Sequence, residues 1–297
     1  MSYWTISLEI PHADADAFGD ALMACGALSV DLADAHEGTA NEMPIFAEPG
    51  ADSGLWALCR LRALLPASAD ARAVVAEASA ASGCVAADFA VEPLDDADWV
   101  TLSRAQFQPI RIGRTFWVVP SWHDVPADAG VVIRLDPGSA FGTGSHPTTR
   151  MCLQWIEENA IALAGQQVLD YGCGSGILAI AAMKFGAAGS LGIDIDPVAL
   201  PAARENARVN GVHVEFRDAN DVVGDPAGVL LANILANPLK ALAPALTRHT
   251  RSDGHLVLAG LLDEQADELI DIYAPWFDLQ RWRTSEGWTC LAGKRRD

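Results

Sequence analysis

The chain has 297 residues, 51% of them apolar, and a formal net charge of -19. That is enough for two domains and at least one full core. No run of about 18 apolar residues occurs, and the Met1-Ser2-Tyr3-Trp4 start lacks a basic stretch followed by an apolar one. Neither a helical membrane span nor a secretory signal is therefore expected, and the expected location is cytoplasmic. Residues 1–96 carry 16 acidic against 3 basic side chains, and residues 97–297 carry 23 against 17. An acidic front of this kind repels a phosphate backbone and attracts a basic partner, although general solubility would produce the same composition. The six cysteines are scattered with no C-x-x-C pair. This argues against a zinc site and a disulfide framework, so free and mostly buried thiols are expected.

Tyr3 to Ile10 alternates strictly, with Trp4, Ile6, Leu8 and Ile10 on one face, the period-2 mark of a strand covered on one side. Phe18, Ala21, Leu22 and Cys25 then fall at helical spacing and end at Gly26. Leu28 to Leu32 alternates again. Beyond a polar loop with Pro44, Pro49 and Gly50, the pattern predicts a strand over 56–64, a helix over 69–81 and a short strand over 89–91. The order βαββαβ is that of a ferredoxin-like α+β domain, placed at residues 1–96.

From 97 to 125 the residues Trp99, Phe107, Pro109, Trp117, Pro120 and Trp122 are interspersed without long periodic runs, as in a connector with one strand near 115–119. A third segment, 126–297, opens on the glycine-rich stretch Leu135 to Thr149, which runs into a helix through Trp155 and contains no nucleotide P-loop sequence. Strands are predicted at 167–171, 190–195, 213–217, 228–233 and 255–259, alternating with helices at 177–185, 197–210, 238–247 and 263–272. Two final strands follow near 277–284 and 288–294. Such alternation makes an α/β fold with a mainly parallel sheet covered on both faces, whose ligands bind at the carboxyl ends of the strands.

The first of those strands ends in Asp170-Tyr171-Gly172-Cys173-Gly174-Ser175-Gly176, a turn that lets a ligand touch backbone. Asp194 ends the second strand, where a carboxylate can accept hydrogen bonds from both ribose hydroxyls of a nucleoside. The glycines read G-x-G-x-G, Ile177 stands where a third dinucleotide glycine would be, and Asp170 precedes the turn. A carboxylate there disfavours a pyrophosphate and favours an ammonium and a sulfonium, so the pattern points to S-adenosylmethionine ahead of a dinucleotide. A dinucleotide-dependent oxidoreductase stays open at this point.

Leu135-Asp136-Pro137-Gly138, Phe141-Gly142-Thr143-Gly144, His146-Pro147-Thr148-Thr149, the Asp170 to Gly176 turn, Gly192-Ile193-Asp194-Ile195-Asp196-Pro197 and Ala232-Asn233-Ile234-Leu235 together closely resemble the methyltransferase family that acts on bacterial large-subunit ribosomal protein L-eleven. The resemblance covers most of the chain. It implies a Rossmann-like class I methyltransferase sheet behind a ferredoxin-like substrate-recognition domain, with S-adenosylmethionine as cofactor. It further implies that Thr149, Gly172, Asp194 and Asn233 contact that cofactor. The implied activity is repeated N-methylation of the substrate's N-terminal α-amino group and lysine ε-amino groups. The expected partner is then a basic ribosomal protein, with no direct nucleic acid, no membrane and a monomeric enzyme; another amine substrate is the alternative.

Asn233 can present an oxygen to the attacking amine. The sequence Asn233-Ile234-Leu235-Ala236 lacks the prolines and the aromatic ring that suit planar acceptors, which favours an aliphatic amine. Asn237-Pro238 is expected to be a helix N-cap and first helical residue. No side chain stands out as a general base, and no metal ligand set is present. His146 is expected to order its loop, Cys173 to be a small buried residue, and Asp196 to cap the next helix. Asp170 either touches the ligand or fixes the turn through backbone amides.

Overall fold

The computed structural model describes residues 3–39, 41–42, 56–86, 88–94, 107–136, 144–221 and 224–297. Contacts divide the chain into two compact units, Met1–Ser103 and Arg104–Asp297.

The first unit runs β1 (Tyr3–Pro11), α1 (His12–Ala24), β2 (Ser29–Asp34), β3 (Leu58–Pro66), α2 (Ala71–Ser82) and β4 (Phe89–Leu94). Its sheet is antiparallel in the order β2-β3-β1-β4, a ferredoxin-like arrangement. The alternation along β1 puts Ile6, Leu8 and Ile10 into the core with Leu61 and Leu65 of β3, while Phe18 and Leu22 of α1 and Val75 and Ala78 of α2 cover that face. Asp70 caps α2, its carboxylate accepting from the amides of Arg72 and Ala73 at 3.0 and 3.2 Å. β4 extends past the expected 89–91 through Pro93, which an edge strand tolerates because one side of its backbone has no ladder partner.

In the second unit, β5 (Ile110–Arg111), β6 (Phe116–Val119) and β7 (Val131–Arg134) form a small three-stranded sheet. Of the segment expected to be a connector, 97–106 lie outside the described residues. Ile112, Phe116 and Val118 pack into a core shared with the following helices. Next come α3 (Pro147–Glu158), α4 (Ala160–Leu163), β8 (Gln167–Tyr171), α5 (Ile177–Lys184), β9 (Gly189–Asp194), α6 (Ala199–Val209), β10 (Glu215–Asp218) and β11 (Ala227–Asn233). The unit ends with α7 (Ala236–His249), β12 (Thr250–Leu262), a 3-10 turn at Asp263–Gln265, α8 (Ala266–Tyr273), β13 (Phe277–Ser285) and β14 (Trp288–Arg295).

The seven strands lie in the order β10-β9-β8-β11-β12-β14-β13, the first five parallel and β14 antiparallel to both neighbours. This is the Rossmann-like class I methyltransferase sheet. Side-chain alternation feeds two cores: Val229, Leu231 and Val257 face α3 and α5, while Leu230, Ala232, Leu256 and Leu258 face α7 and α8. That double coverage explains why β11 reads as an unbroken apolar run. Strand order reverses between β8 and β11, which opens a crevice at their carboxyl ends.

One expectation needs correction. α7 begins at Ala236 with Leu235 as its N-cap, so Asn237 and Pro238 are its second and third residues. None of the first amides of a helix has an intrahelical acceptor, so proline is accepted throughout the first turn and does not mark the first residue. No helix among the described residues is long and apolar enough to cross a membrane.

Candidate active site

The glycine turn leaves β8 at the switch point and is tied to β9 at both its start and its middle. The amides of Gly172 and Cys173 donate to the Ile193 carbonyl at 2.8 and 2.9 Å. The amide of Gly174 donates to Asp194 Oδ2 at 2.7 Å, and Asp194 Oδ1 accepts from the Asp196 amide at 2.9 Å. Asp196 in turn accepts from the Val198 amide at 2.9 Å, just ahead of α6, so it opens that helix from two residues upstream of the N-cap position. From α6, Asn206 Nδ2 donates to the Ser175 carbonyl at 2.9 Å.

Asp170 is fully buried beneath this turn. Its Oδ2 accepts from the Ala179 amide at 3.0 Å, in the first turn of α5, where helix amides have no other acceptor and the helix dipole favours an anion. Asp170 Oδ1 has no hydrogen-bond partner. Burial pushes the carboxyl up to about 7; the Ala179 bond opposes that shift and the nearby Asp194 charge adds to it. Of the two roles open to Asp170, the contact with a backbone amide is present, and one oxygen remains for a cation or a water. Cys173 is buried beside it, and burial together with both carboxylates pushes its thiol far up, which removes it as a nucleophile.

On the other side of the crevice, Asn233 ends β11 and donates from Nδ2 to Thr149 Oγ1 at 3.1 Å. The contact leaves the Asn233 amide oxygen as an acceptor. Thr149 is held in the first turn of α3 by its cap: His146 Nδ1 lies 2.7 Å from Thr148 Oγ1 and 3.4 Å from the Thr148 amide, with Pro147 as the first helical residue. The His146 ring meets Trp288 edge-on at 4.9 Å. Burial lowers the His146 pKa, opposed by Glu286. His146 therefore orders its segment.

Ile234 follows Asn233 and packs against the turn. A Cβ at Gly172, whose φ is +77, would lie 2.4 Å from Ile234 Cγ2. Thr149, Gly172, Asp194 and Asn233 thus converge on one end of the sheet through direct contacts or contacts of adjacent residues. Residues 137–143, including most of the glycine-rich stretch before α3, lie outside the described residues. Asn206 is unmarked in the sequence, since a polar residue on a helix carries no local signal; Ile234 stands in the motif beside Asn233, but its packing against Gly172 follows from no local pattern.

A family model described as Ribosomal protein L11 methyltransferase (PrmA) matches residues 2–296. The chain belongs to this family. It is similar to the ribosomal protein L11 methyltransferase of Cupriavidus pinatubonensis, 48% identical over 99% of this chain and 100% of the relative. That of Chromobacterium violaceum is 47% identical over 100% and 99%. Among solved structures, the ribosomal protein L11 methylase of Lactobacillus delbrueckii subsp. bulgaricus is 35% identical, covers 64% of this chain and all of its own, and superposes with a TM-score of 0.59. The family makes this chain an S-adenosylmethionine-dependent methyltransferase, and the oxidoreductase alternative is set aside. The site fits that cofactor on its own chemistry: the Asp194 carboxylate and the buried, unpartnered Asp170 oxygen flank the glycine turn at the carboxyl end of the sheet.

Proposed function

We propose that the chain transfers methyl groups from S-adenosylmethionine to the N-terminal α-amino group and lysine ε-amino groups of ribosomal protein L11, with Thr149, Gly172, Asp194 and Asn233 contacting the cofactor. The observation that carries the L11 methylation is the match, over essentially the whole chain, to relatives named ribosomal protein L11 methyltransferase. The bound cofactor supplies a sulfonium-activated methyl group. Asp194 accepts from ribose hydroxyls with the lone pairs its two amide contacts leave open, and Gly172 lets the ligand approach backbone. The Asn233 oxygen accepts from the acceptor amine and so aims its lone pair. An amine attacks only when uncharged. At pH 7.5 an α-amino group of pKa ~7.7–8.0 is roughly a quarter to two-fifths neutral, whereas lysine at ~10.4 is about one in a thousand. Desolvation and positioning by the crevice supply the difference for lysine, with no side chain assigned as base.

The first unit is assigned the recruiting role, since its acidic excess complements a basic substrate. A monomeric state, a cytoplasmic location and the absence of direct nucleic-acid contact go with this reading. The test is mass spectrometry of purified L11 after incubation with the chain and isotope-labelled S-adenosylmethionine. Label on the N-terminal amine and on lysines is the expected result. Label confined to other residues, or appearing only on another amine added in competition, would overturn the assignment.

A further inference from the structure

Ile234 occupies a slot whose two walls are glycines from different parts of the chain. On one side is Gly172 of the cofactor turn, against which the Ile234 side chain rests. On the other is Gly260 of β12. A Cβ built on Gly260 would lie 2.3 Å from the Ile234 carbonyl oxygen, 2.7 Å from its carbonyl carbon and 3.0 Å from its nitrogen. All three are backbone atoms, which cannot rotate aside as a side chain can.

The strand itself is built around this approach. The β11–β12 ladder ends at the pair Asn233–Ala259, and the register between β12 and β14 shifts between Leu258 and Leu261. Gly260 sits inside that irregularity with φ +88, in the left-handed region where a side chain is strained. The bulge interrupts the apolar run Leu256–Leu262 of β12 one residue beyond the level of Asn233.

We infer that Gly260 is a positioning residue for methyl transfer: by letting the Ile234 backbone lie against β12, it fixes the neighbouring Asn233 at the depth where its oxygen meets the acceptor amine. The inference rests on the acceptor role proposed for Asn233. Gly260 touches neither cofactor nor acceptor. With Gly172 blocking movement the other way, the segment after β11 has one position along that line, and the Asn233–Thr149 contact then sets the rotation of the amide.

The test compares full-length wild type with Gly260→Ala and with Gly186→Ala. Gly186 lies between α5 and β9, at the far end of the sheet, with φ +94 and no atom within 4 Å of an added Cβ. It carries the backbone strain without the collision. Gly260→Ala is expected to lower kcat for L11 by on the order of tenfold to a hundredfold, with affinity for S-adenosylmethionine within about threefold of wild type. Gly186→Ala should leave kcat within about twofold even if its Tm falls as far, since strain alone acts on stability and not on the site.

A Gly260→Ala enzyme with wild-type kcat, or a Gly186→Ala enzyme that loses as much, overturns the inference. If Gly260→Ala fails to fold, Ile234→Ala takes its place. That variant removes the side chain resting on Gly172 and should cost several-fold in kcat with cofactor affinity unchanged; full activity would sink the slot. The Ile234 methyl resonances, followed by NMR, must shift in Gly260→Ala and stay put in Gly186→Ala. That readout stands even if wild type proves inactive on L11, an outcome that would remove the functional proposal and leave the slot still under test.

Discussion

The two sheets bury the same kinds of side chain but differ in what they do with polar ones. In the first unit Asp34 is the one buried polar side chain among the described residues. The second buries nine, and four of them, Thr148, Thr149, Asp170 and Ser175, gather at the end of the sheet where strand order reverses. Burying a polar group costs free energy unless it is hydrogen-bonded, and here Asp170 Oδ1 has no partner, so the fold gives up stability at that carboxyl. The antiparallel unit shows no such gathering among its described residues. Its distinguishing property is the acidic excess of residues 1–96.

The strongest way to break this contrast is to remove the first unit. Both cores of the second are built from residues after 109, so deletion of residues 1–96 should leave them formed. Affinity for S-adenosylmethionine should stay within about threefold, whereas kcat/KM for L11 should fall on the order of a hundredfold or more, because remote binding contributes to the transition state. Titration calorimetry and a methylation assay read the two. Full activity of the shortened chain would show that recognition lies elsewhere.

Asp170 sharpens the other half of the comparison, the concession within the second unit. Its carboxyl titrates near 7 in the fold against 3.8 for the free group, so the folded state holds the proton more tightly. This group's contribution to stability is therefore greatest below pH 3.8. It declines as pH rises to about 7, at roughly 1.4 kcal/mol per pH unit, and is level above that. Asp170→Asn keeps an oxygen for the Ala179 amide and removes the charge. Without cofactor, the variant's Tm relative to wild type should rise between pH 5 and pH 8; a pH-independent difference would mean that the carboxyl is ionised throughout.

How much of this was legible in the sequence depends on the range of the interaction. β1 announced itself by period 2, and β11 by an apolar run bounded by turns. β5, of two residues, is too short to show any period, so the chain around it reads as a connector although Phe116 and Val118 lie in a core, and β7, of four residues, passes unmarked after it. The turn from Asp170 to Gly176 and Asp194 are a local motif and could be placed on strand ends from spacing alone. The Thr149–Asn233 contact joins residues 84 apart and follows from no local pattern; only the family resemblance named both. Gly260 was visible as a glycine interrupting the run from Leu256 to Leu262, a usual sign of a bulge or of a close backbone approach, but not what approaches it.

The last effect separates two roles in a single residue. Asp194 holds the turn through the Gly174 and Asp196 amides and is assigned to the ribose. Asp194→Ala should weaken S-adenosylmethionine binding by on the order of 1.5–3 kcal/mol, the range for a charge-assisted hydrogen bond. Loss of turn order would contribute to that figure, so the variant alone does not isolate the ribose. An analogue lacking the 2′-hydroxyl does. Wild type should bind it more weakly than S-adenosylmethionine, while Asp194→Ala should bind the two alike, since the partner of that hydroxyl is gone. Equal discrimination by both proteins would confine Asp194 to holding the turn and move the ribose contact to another residue.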